Sequence, residues 1–247
     1  MTSFRVLKRI LRIRTFLLLG VLVTLTSCGS FSAPHTALIF ALNLSPNPCE
    51  IQVLEGETVI ADFQDVQPFV AHPLIPVTAD RSVSLKVIFS NGKVSVWSDS
   101  SGRPYDVRLT ASNNLWAALI STNGQSSLIA VHQNLTNKPK ISFINTTPTP
   151  LAQVELAPDF NKNIKIYLQN LPPDQPSDFS STDPRPLPIF WQTVGQNYTG
   201  DFFQIESPSG SPVLQEFLPG HYYLALLGNK VGVDNVHGNI QDISPKS

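Results

Sequence analysis

Proline is the residue that most constrains how this chain can fold. All 21 prolines lie after residue 33. A proline inside a helix removes a hydrogen bond and clashes with the preceding turn, so this density leaves little room for helices longer than a turn or two. Two Asn-Gly pairs, Asn91-Gly92 and Asn123-Gly124, are typical of tight β-hairpin turns. The chain is therefore expected to fold from short strands.

Apolar and polar residues alternate in segments of both halves of the chain. The apolar positions are Val83, Leu85, Val87 and Phe89, then Tyr105, Val107 and Leu109, and in the second half Ile164, Ile166 and Leu168. A period of two is the pattern of a half-buried strand. Several such strands within about a hundred residues, with turns between them, favour an antiparallel β-sandwich.

The chain also contains an internal repeat. Residues 41–53 read ALNLSPNPCEIQV and residues 143–155 read FINTTPTPLAQVE, so Asn-x-(Ser/Thr)-Pro-x-Pro recurs at Asn43 and Asn145, an offset of 102. LWAALIS at residues 115–121 resembles YYLALLG at residues 222–228, an offset of 107. Two matches in the same order and at similar offsets indicate a duplicated domain.

We therefore expect an all-β chain with two tandem antiparallel β-sandwich domains. They cover residues 37–134 and 139–235, joined by a short polar linker and followed by a C-terminal tail at residues 236–247. In each domain a first strand ends at prolines that cannot donate to a ladder, and a turn leads to the second strand. The repeated motif is thus interpreted as structural rather than as a ligand motif.

The N-terminus has the pattern of a secretory signal. Residues 1–27 carry five basic residues and no acid, and an uncharged run follows from Thr15. The apolar stretch at residues 15–25 is too short to span a bilayer, which takes about 20 residues. A basic start, a short apolar core and small residues at its end predict a cleaved signal peptide over residues 1–27.

Leu25-Thr26-Ser27-Cys28 resembles the lipobox of bacterial lipoproteins. The resemblance implies cleavage before Cys28, a diacylglyceryl group on its sulfur, and usually a further acyl chain on the new amine. Several acyl chains hold a protein stably on a bilayer where one does not. Residues 28–36 would then be the tether. Gly29 after the cysteine implies the outer membrane, facing the periplasm or the surface, rather than the inner membrane.

Net charge limits the partners. The chain has 17 basic and 18 acidic residues, and cleavage before Cys28 leaves 12 basic and 18 acidic, a net charge of −6. An acidic chain without a basic cluster is unsuited to nucleic acid or to tight electrostatic capture of an anionic polymer. We expect the lipid bilayer, and no nucleic acid, among its partners.

Cys49 has no partner within the chain if Cys28 is lipidated. It alternates with Ile51 and Val53 on one side of an expected strand, which indicates a small buried core residue. An odd cysteine in an exported chain can instead be a reactive thiol or form an intermolecular disulfide. Both interpretations stay open at this stage.

The sequence carries no catalytic motif. The five histidines, His35, His72, His132, His221 and His237, lack close metal-ligand spacing. Gly-x-Ser-x-Gly, a phosphate-binding glycine loop and Cys-x-x-Cys do not occur, and the acids are spread singly. We expect a protein without catalytic residues, metal or cofactor.

Aromatic residues give the one hint of a binding site. The candidates are Trp191, Tyr198, Tyr222 and Tyr223, near a proline-rich segment at residues 171–188 that we expect to be an extended loop without a counterpart in the first domain. Flat aromatic faces stack on sugar rings and anchor interfaces. Sandwich cores need large residues too, and an adjacent pair such as Tyr222-Tyr223 must place one ring on each face of a strand.

The layout resembles that of the alginate biosynthesis protein AlgF and related envelope domains. Each half opens with a strand ending in Asn-x-(Ser/Thr)-Pro, and the second closes with Pro219-Gly220-His221-Tyr222-Tyr223. The resemblance implies a non-catalytic accessory or scaffold in exopolysaccharide O-acetylation, with envelope acetyltransferase components or the polysaccharide as partners. The alternative is a surface-exposed lipoprotein that binds carbohydrate or a host molecule.

Overall fold

The computed structural model describes most of the chain that follows the expected tether. The described residues are 35–98, 100–111, 114–134, 136–156, 166–184, 189–193, 199–201, 204–206, 212–214, 217–228 and 239–245. Those from residue 36 onward belong to one compact unit, Thr36–Ser247. The expected signal peptide, Cys28 and Tyr198 lie outside them. No helix occurs in this part of the chain, and hence none that could cross a membrane.

Strands make up the regular structure of the described residues. The first repeat (residues 36–134) contains β1 (Thr36–Asn43), β2 (Cys49–Glu55), β3 (Thr58–Val66), β4 (Ala71–Thr78), β5 (Ser82–Phe89), β6 (Val94–Val96), β7 (Val107–Arg108), β8 (Asn114–Ile120) and β9 (Ser126–His132). The second repeat (residues 139–245) contains β10 (Lys140–Asn145), β11 (Leu151–Leu156), β12 (Ile166–Leu171), β13 (Ser180–Ser181), β14 (Ile189–Thr193), β15 (Thr199–Asp201), β16 (Gln204–Glu206), β17 (Pro212–Leu214), β18 (Tyr222–Leu227) and β19 (Asn239–Asp242).

Each repeat has an inner and an outer sheet. In the first repeat the inner sheet has the order β4-β1-β8-β9 and the outer sheet β3-β2-β5-β6, with β7 also paired to β5. The second repeat has the inner order β13-β10-β18-β19 and the outer order β12-β11-β14-β15, while β16 and β17 form a separate hairpin. The strand order is therefore the same in both repeats. The predicted all-β sandwich class is confirmed.

The inner sheets each contain one parallel pair in addition to antiparallel pairs. In the first repeat β1 runs parallel to β8, and in the second β10 runs parallel to β18. Parallel neighbours need a long connection, and here the connection includes the strands of the outer sheet. The alternation of side chains is the same in parallel and antiparallel strands, so the sequence pattern does not predict this parallel pairing.

Among the described residues, three hydrophobic cores lie among the inner and outer sheets of the two repeats. The first core lies within the first repeat and the second core within the second. The third, called the shared core here, draws on both inner sheets: Phe40, Leu42, Leu44, Leu74, Leu115, Ala117, Leu119, Val131, Ile144, Phe179, Leu224, Leu226 and Ile243. The repeats thus pack through their inner sheets as a four-layer stack.

Strand β1 shows how the inner sheets serve two cores. Ile39 and Ala41 belong to the first core, whereas Phe40 and Leu42 belong to the shared core. Successive side chains of a strand point to opposite faces, so a strand covered on both sides needs an almost continuous apolar run. The almost continuous apolar runs of β1 and β8 are explained by this burial of both faces.

Backbone hydrogen bonds also join the two inner sheets at both edges. Leu74 N donates to Ile243 O at 2.8 Å, and Phe179 N donates to His132 O at 2.8 Å. Leu74 and Phe179 are 105 residues apart, so the two contacts are equivalent in the repeats. Residues 236–247 were expected to be a tail, but β19 lies there and pairs with β18, so this segment completes the second inner sheet.

The proline-rich segment occupies the place that β4 has in the first repeat. Pro176 forms an isolated bridge with Ile144, and β13 pairs with the start of β10. The pairing with β10 consists of an isolated bridge and the short β13, whereas β4 pairs with β1 along its length apart from one irregularity. The expectation that this segment has no counterpart in the first repeat was therefore wrong for its described part, residues 171–184.

The repeated asparagines build the same hydrogen-bond network in both repeats. Asn43 Nδ2 donates to Asn47 O at 2.8 Å and to Val66 O at 3.1 Å, and its Oδ1 accepts from the N and Oγ of Ser45. Asn145 Nδ2 donates to Thr149 O at 2.8 Å and to Leu171 O at 3.1 Å, and Thr147 takes the role of the serine. Each buried amide thus ties the end of one strand to its own turn and to the end of another strand.

Gly228 closes this network in the second repeat. Its φ is +93°, and a Cβ there would lie 2.1 Å from Thr147 Cγ2. Its carbonyl accepts a hydrogen bond from Thr146 Oγ1 at 2.9 Å. Only glycine fits a position that requires both a positive φ and this close approach.

Substituting Asn43 by Ala tests the structural interpretation of the motif. The change removes the buried bond donated to Val66 O and the acceptor of Ser45 N, and a buried polar group left without a partner costs about 1–3 kcal/mol. We expect the free energy of unfolding to fall by about 2–4 kcal/mol in urea denaturation. Asn47→Ala is the control, because Asn47 is exposed and contributes only its carbonyl. Equal stabilities of the two variants would contradict the interpretation.

Candidate functional site

The structure places Trp191 and Tyr223 in the second core. Trp191 is 2% exposed and lies opposite Val154, and Tyr223 is fully buried. The Tyr223 hydroxyl accepts a hydrogen bond from Leu218 N at 2.8 Å, and its ring meets that of Phe217 edge-on. Their expected role as binding residues is corrected, because both side chains face into the sandwich.

Tyr222 points to the opposite face and joins the two repeats. Its hydroxyl donates to Gln133 Oε1 at 2.8 Å, and its ring packs edge-on against Phe179 with centroids 5.7 Å apart. The expectation that Tyr222 and Tyr223 place one ring on each face of a strand agrees with this geometry. Tyr198, the fourth candidate, lies outside the described residues.

Cys49 lies in the first core. Its side chain is buried beside Ile51 and Val53, and burial raises the pKa of its thiol to about 11. Since the thiolate is the reactive form of cysteine, very little of it is present at neutral pH. The structure favours the interpretation of Cys49 as a core residue over that of a reactive thiol.

One arrangement has the residue types of a catalytic triad without its connectivity. His221 Nδ1 lies 2.7 Å from Asp242 Oδ2, and Ser244 Oγ donates to Asp242 Oδ1 at 2.5 Å. Burial raises the pKa of Asp242, but hydrogen bonds from Ser244 and His221 outweigh it and lower the pKa overall. A triad needs the histidine between serine and aspartate, whereas here both contact the carboxylate. The trio ties the end of β19 to β18.

Metal ligands are not brought together in the part of the chain that the structure describes. No group of three or more His, Cys, Asp and Glu side chains there could hold an ion.

Among the residues that the structure describes, an exposed aromatic surface lies in the first repeat. Trp97 follows β6 directly and Tyr105 stands at the far end of the loop that comes next. Trp97 N donates to Leu85 O at 3.0 Å, Tyr105 N donates to Trp97 O at 2.9 Å, and Ser98 forms a bridge with Pro104. The backbone thus holds both aromatic residues against the outer sheet.

The two rings form a contiguous surface. Their centroids are 4.8 Å apart with an angle of 41° between planes. Tyr105 is 44% exposed, and Trp97 is partly buried where it packs on the first core. Trp97 therefore serves as a fixed base and Tyr105 as the accessible face. Seryl hydroxyls and the guanidinium of Arg103 lie in the same loop.

This combination can bind the apolar face of a sugar ring. Aromatic rings stack on flat apolar faces, and loops on a rigid scaffold commonly carry binding residues. This pair was not among the binding residues expected from the sequence, because the aromatic residues are denser in the second repeat. The available signal was WSDSSGRPY at residues 97–105, a short polar turn segment with an aromatic residue at each end.

The edge strand β6 exposes a second, apolar surface. Val94 and Val96 are 52% and 40% exposed, and they lie across from Ile88 and Lys86 on the outward face of the first outer sheet.

No protein-family model matches the sequence, and no curated protein matches it. The candidate site is therefore defined by the geometry of Trp97 and Tyr105.

Proposed function

We propose that this protein is a non-catalytic lipoprotein of the bacterial envelope that binds polysaccharide through Trp97 and Tyr105. The observation that carries the proposal is the exposed aromatic pair, which backbone hydrogen bonds hold on the edge of a packed sandwich. In this role the protein is an accessory of exopolysaccharide O-acetylation, keeping the polymer near the acetyltransferase components. This last step rests on the resemblance to AlgF.

Avidity allows a small aromatic site to hold a polysaccharide through many weak contacts. One aromatic contact contributes about 0.5–1.5 kcal/mol beyond the area it buries, so a single sugar would bind weakly. A polysaccharide repeats its sugars, and lipid-anchored copies of the protein share one membrane surface. Linked contacts of this kind raise the apparent affinity without any new interaction.

The net charge of the mature chain favours recognition of a sugar by stacking on its apolar face over electrostatic capture of a polyanion. Its net charge of −6 would repel a polyanion at long range. Stacking on an aromatic face does not need an opposite charge. A neutral or acetylated sugar face therefore fits the site better than an unmodified polyuronate.

A second candidate function is contact with a protein partner through β6. Edge strands offer unpaired backbone groups to another chain, and Val94 and Val96 add exposed apolar area. In this version the protein acts as a scaffold for the acetyltransferase components and does not touch the polymer.

Lipidation is tested with Cys28→Ser. If Cys28 receives the lipid, the variant should not incorporate radioactive palmitate and should accumulate as uncleaved precursor. Cys49→Ser is the matched control and should label like the wild type, because Cys49 is buried. Labelling of Cys28→Ser at the wild-type level would contradict the anchor.

Polysaccharide binding is tested with Tyr105→Ala in the otherwise intact mature chain. Loss of one stacking contact worth about 0.5–1.5 kcal/mol should weaken binding to immobilised exopolysaccharide roughly 2- to 12-fold per site. Stability should change little, because the side chain is exposed. Leu218→Ala is the control, since Leu218 is 47% exposed and lies in the other repeat.

The two candidate functions separate in the same experiment. Unchanged polysaccharide retention by Tyr105→Ala would refute the aromatic site. If Val94→Asp then loses co-purifying acetyltransferase components and lowers polymer acetylation, the scaffold function is the better one. Unchanged polymer acetylation in a strain lacking this protein would contradict the O-acetylation role in both candidate functions.

A further inference from the structure

The hairpin formed by β5 and β6 combines exposed apolar side chains with lysines. Val94 lies across from Ile88, and Val96 lies across from Lys86. The alternate residues of β5 fill the first core, so these four side chains point outward from the sandwich. Val94 is 52% exposed and Val96 40%, and Lys93 at the turn of the hairpin is exposed as well. The hairpin thus presents an apolar strip with cations beside it.

The charge of this hairpin is opposite to that of the mature chain. Residues 81–98 contain three basic residues and no acid. Among the described residues, neither Lys86 nor Lys93 has an ion-pair partner. The acids on the same face of the sheet, Glu50 and Asp62, lie on β2 and β3. Positive charge therefore lies at the β6 edge of this face and negative charge towards the β3 edge.

The two edges of the first outer sheet also differ in protection. β3 carries Asp62 and Asp65, and its pairing with β2 has two register irregularities. Charges and bulges of this kind keep other molecules from an edge. The three residues of β6, Val-Ser-Val, are uncharged and pair with β5 in regular register. An unprotected apolar edge of this kind marks an interaction surface.

β6 points to the end of the first repeat at which the chain enters the fold. Thr36, the first residue of β1, pairs with Thr78 at the end of β4. Asp80 N then donates to Leu109 O at 2.8 Å, next to the pairing of β7 with the start of β5. Because β6 is antiparallel to β5, it runs towards this end. The tether, residues 28–36, spans at most about 30 Å, so a lipid on its first residue keeps this end close to a bilayer.

We propose that the outward face of the β5–β6 hairpin docks on an anionic phospholipid bilayer. The two valines enter the boundary between headgroups and acyl chains, as apolar side chains of interfacial proteins do. Lys86 and Lys93 contact lipid phosphates while their apolar stems lie along the membrane surface. The contact orients the sandwich on the membrane. It rests on the anchor of the proposed function only for the choice of a membrane as the occupant, and its test leaves the anchor out.

A bilayer fits this surface better than a protein does. β6 has three residues, so it offers a shorter ladder to an added strand than the five or six residues of a typical strand. Lysine is depleted at protein interfaces, whereas it is favoured at the surface of an anionic membrane. A membrane also needs no strand register. The short apolar strip and its lysines therefore match lipid.

The test is co-sedimentation of the unlipidated mature chain with vesicles. Residues 28–247 carrying Cys28→Ser contain the whole compact unit. The vesicles are phosphatidylcholine alone or an equal mixture with phosphatidylglycerol. Each lysine near an anionic surface raises affinity about 5-fold, so we expect roughly 25-fold weaker binding to phosphatidylcholine alone. Added salt should release the chain from the mixed vesicles because it screens the lysines. Equal binding to both vesicles, or binding to neither, overturns the proposal.

Val94→Ser and Val59→Ser are a matched pair of variants. Val94 and Val59 are 52% and 44% exposed on opposite edges of the same sheet. Val94→Ser should weaken binding to the mixed vesicles at least about 4-fold, the value of one buried methylene. Val59→Ser should bind like the chain with both valines. Both should keep its thermal midpoint, because the side chains are exposed. Undiminished binding of Val94→Ser overturns the proposal.

Lys93→Gln tests the electrostatic part of the contact. It should weaken binding to the mixed vesicles about 5-fold and reduce the effect of salt. Lys138→Gln is the control, because Lys138 is exposed and lies in the linker between the repeats. Equal losses in the two variants would show that net charge alone determines binding, and would overturn the docking surface.

The same chains distinguish lipid from the protein contact of the second candidate function. If the unlipidated chain does not bind anionic vesicles but Val94→Ser loses co-purifying envelope proteins, β6 binds a protein and the lipid surface is wrong. Palmitate labelling of Cys28 tests the anchor alone, and vesicle binding by the unlipidated chain tests this surface alone. Failure of one is therefore distinguishable from failure of the other.

Discussion

The shared core between the two inner sheets is the interaction on which the rest of the structure depends. It buries the second face of four strands, β1, β8, β10 and β18, that already serve a core within their own repeat. At roughly 25 cal/mol per Å² of apolar surface, exposing that face would remove a large part of the stabilisation of each inner sheet. Hydrogen bonds from Leu74 to Ile243 and from Phe179 to His132 close both edges. The repeats are therefore expected to fold as one unit rather than as independent domains.

Much of this fold could be predicted from the sequence because its signals are local. Dense prolines exclude helices, alternation marks the strands of the outer sheets, and the repeated Asn-x-(Ser/Thr)-Pro marks the end of β1 and of β10. The four-layer stack was missed because a strand with apolar residues on both faces does not identify the element that packs against its second face. The counterpart of β4 was missed because this segment pairs with β10 only through isolated bridges and the two-residue β13, and such short pairings leave no alternating pattern in the sequence.

The candidate site was harder to predict than the fold. Composition drew attention to the aromatics of the second repeat, yet Trp191 and Tyr223 fill its core. The sequence predicts that Tyr222 and Tyr223 point to opposite faces of their strand. It does not show which face contacts solvent and which packs against other residues of the protein. The accessible pair, Trp97 and Tyr105, is joined by a loop whose closure depends on backbone bonds to β5 and within the loop itself.

Single-tryptophan variants give the most direct test of the shared core. Trp116 lies in the first core and Trp191 in the second, so a chain that retains only one of them reports on one repeat. If the repeats fold as one unit, the tryptophan fluorescence and the far-UV circular dichroism of each variant should show the same urea midpoint. Leu119→Ala, in the shared core, should then lower the free energy of unfolding by about 2–5 kcal/mol at both reporters. Two separate midpoints within one variant, or a loss at Trp116 alone, would contradict the account.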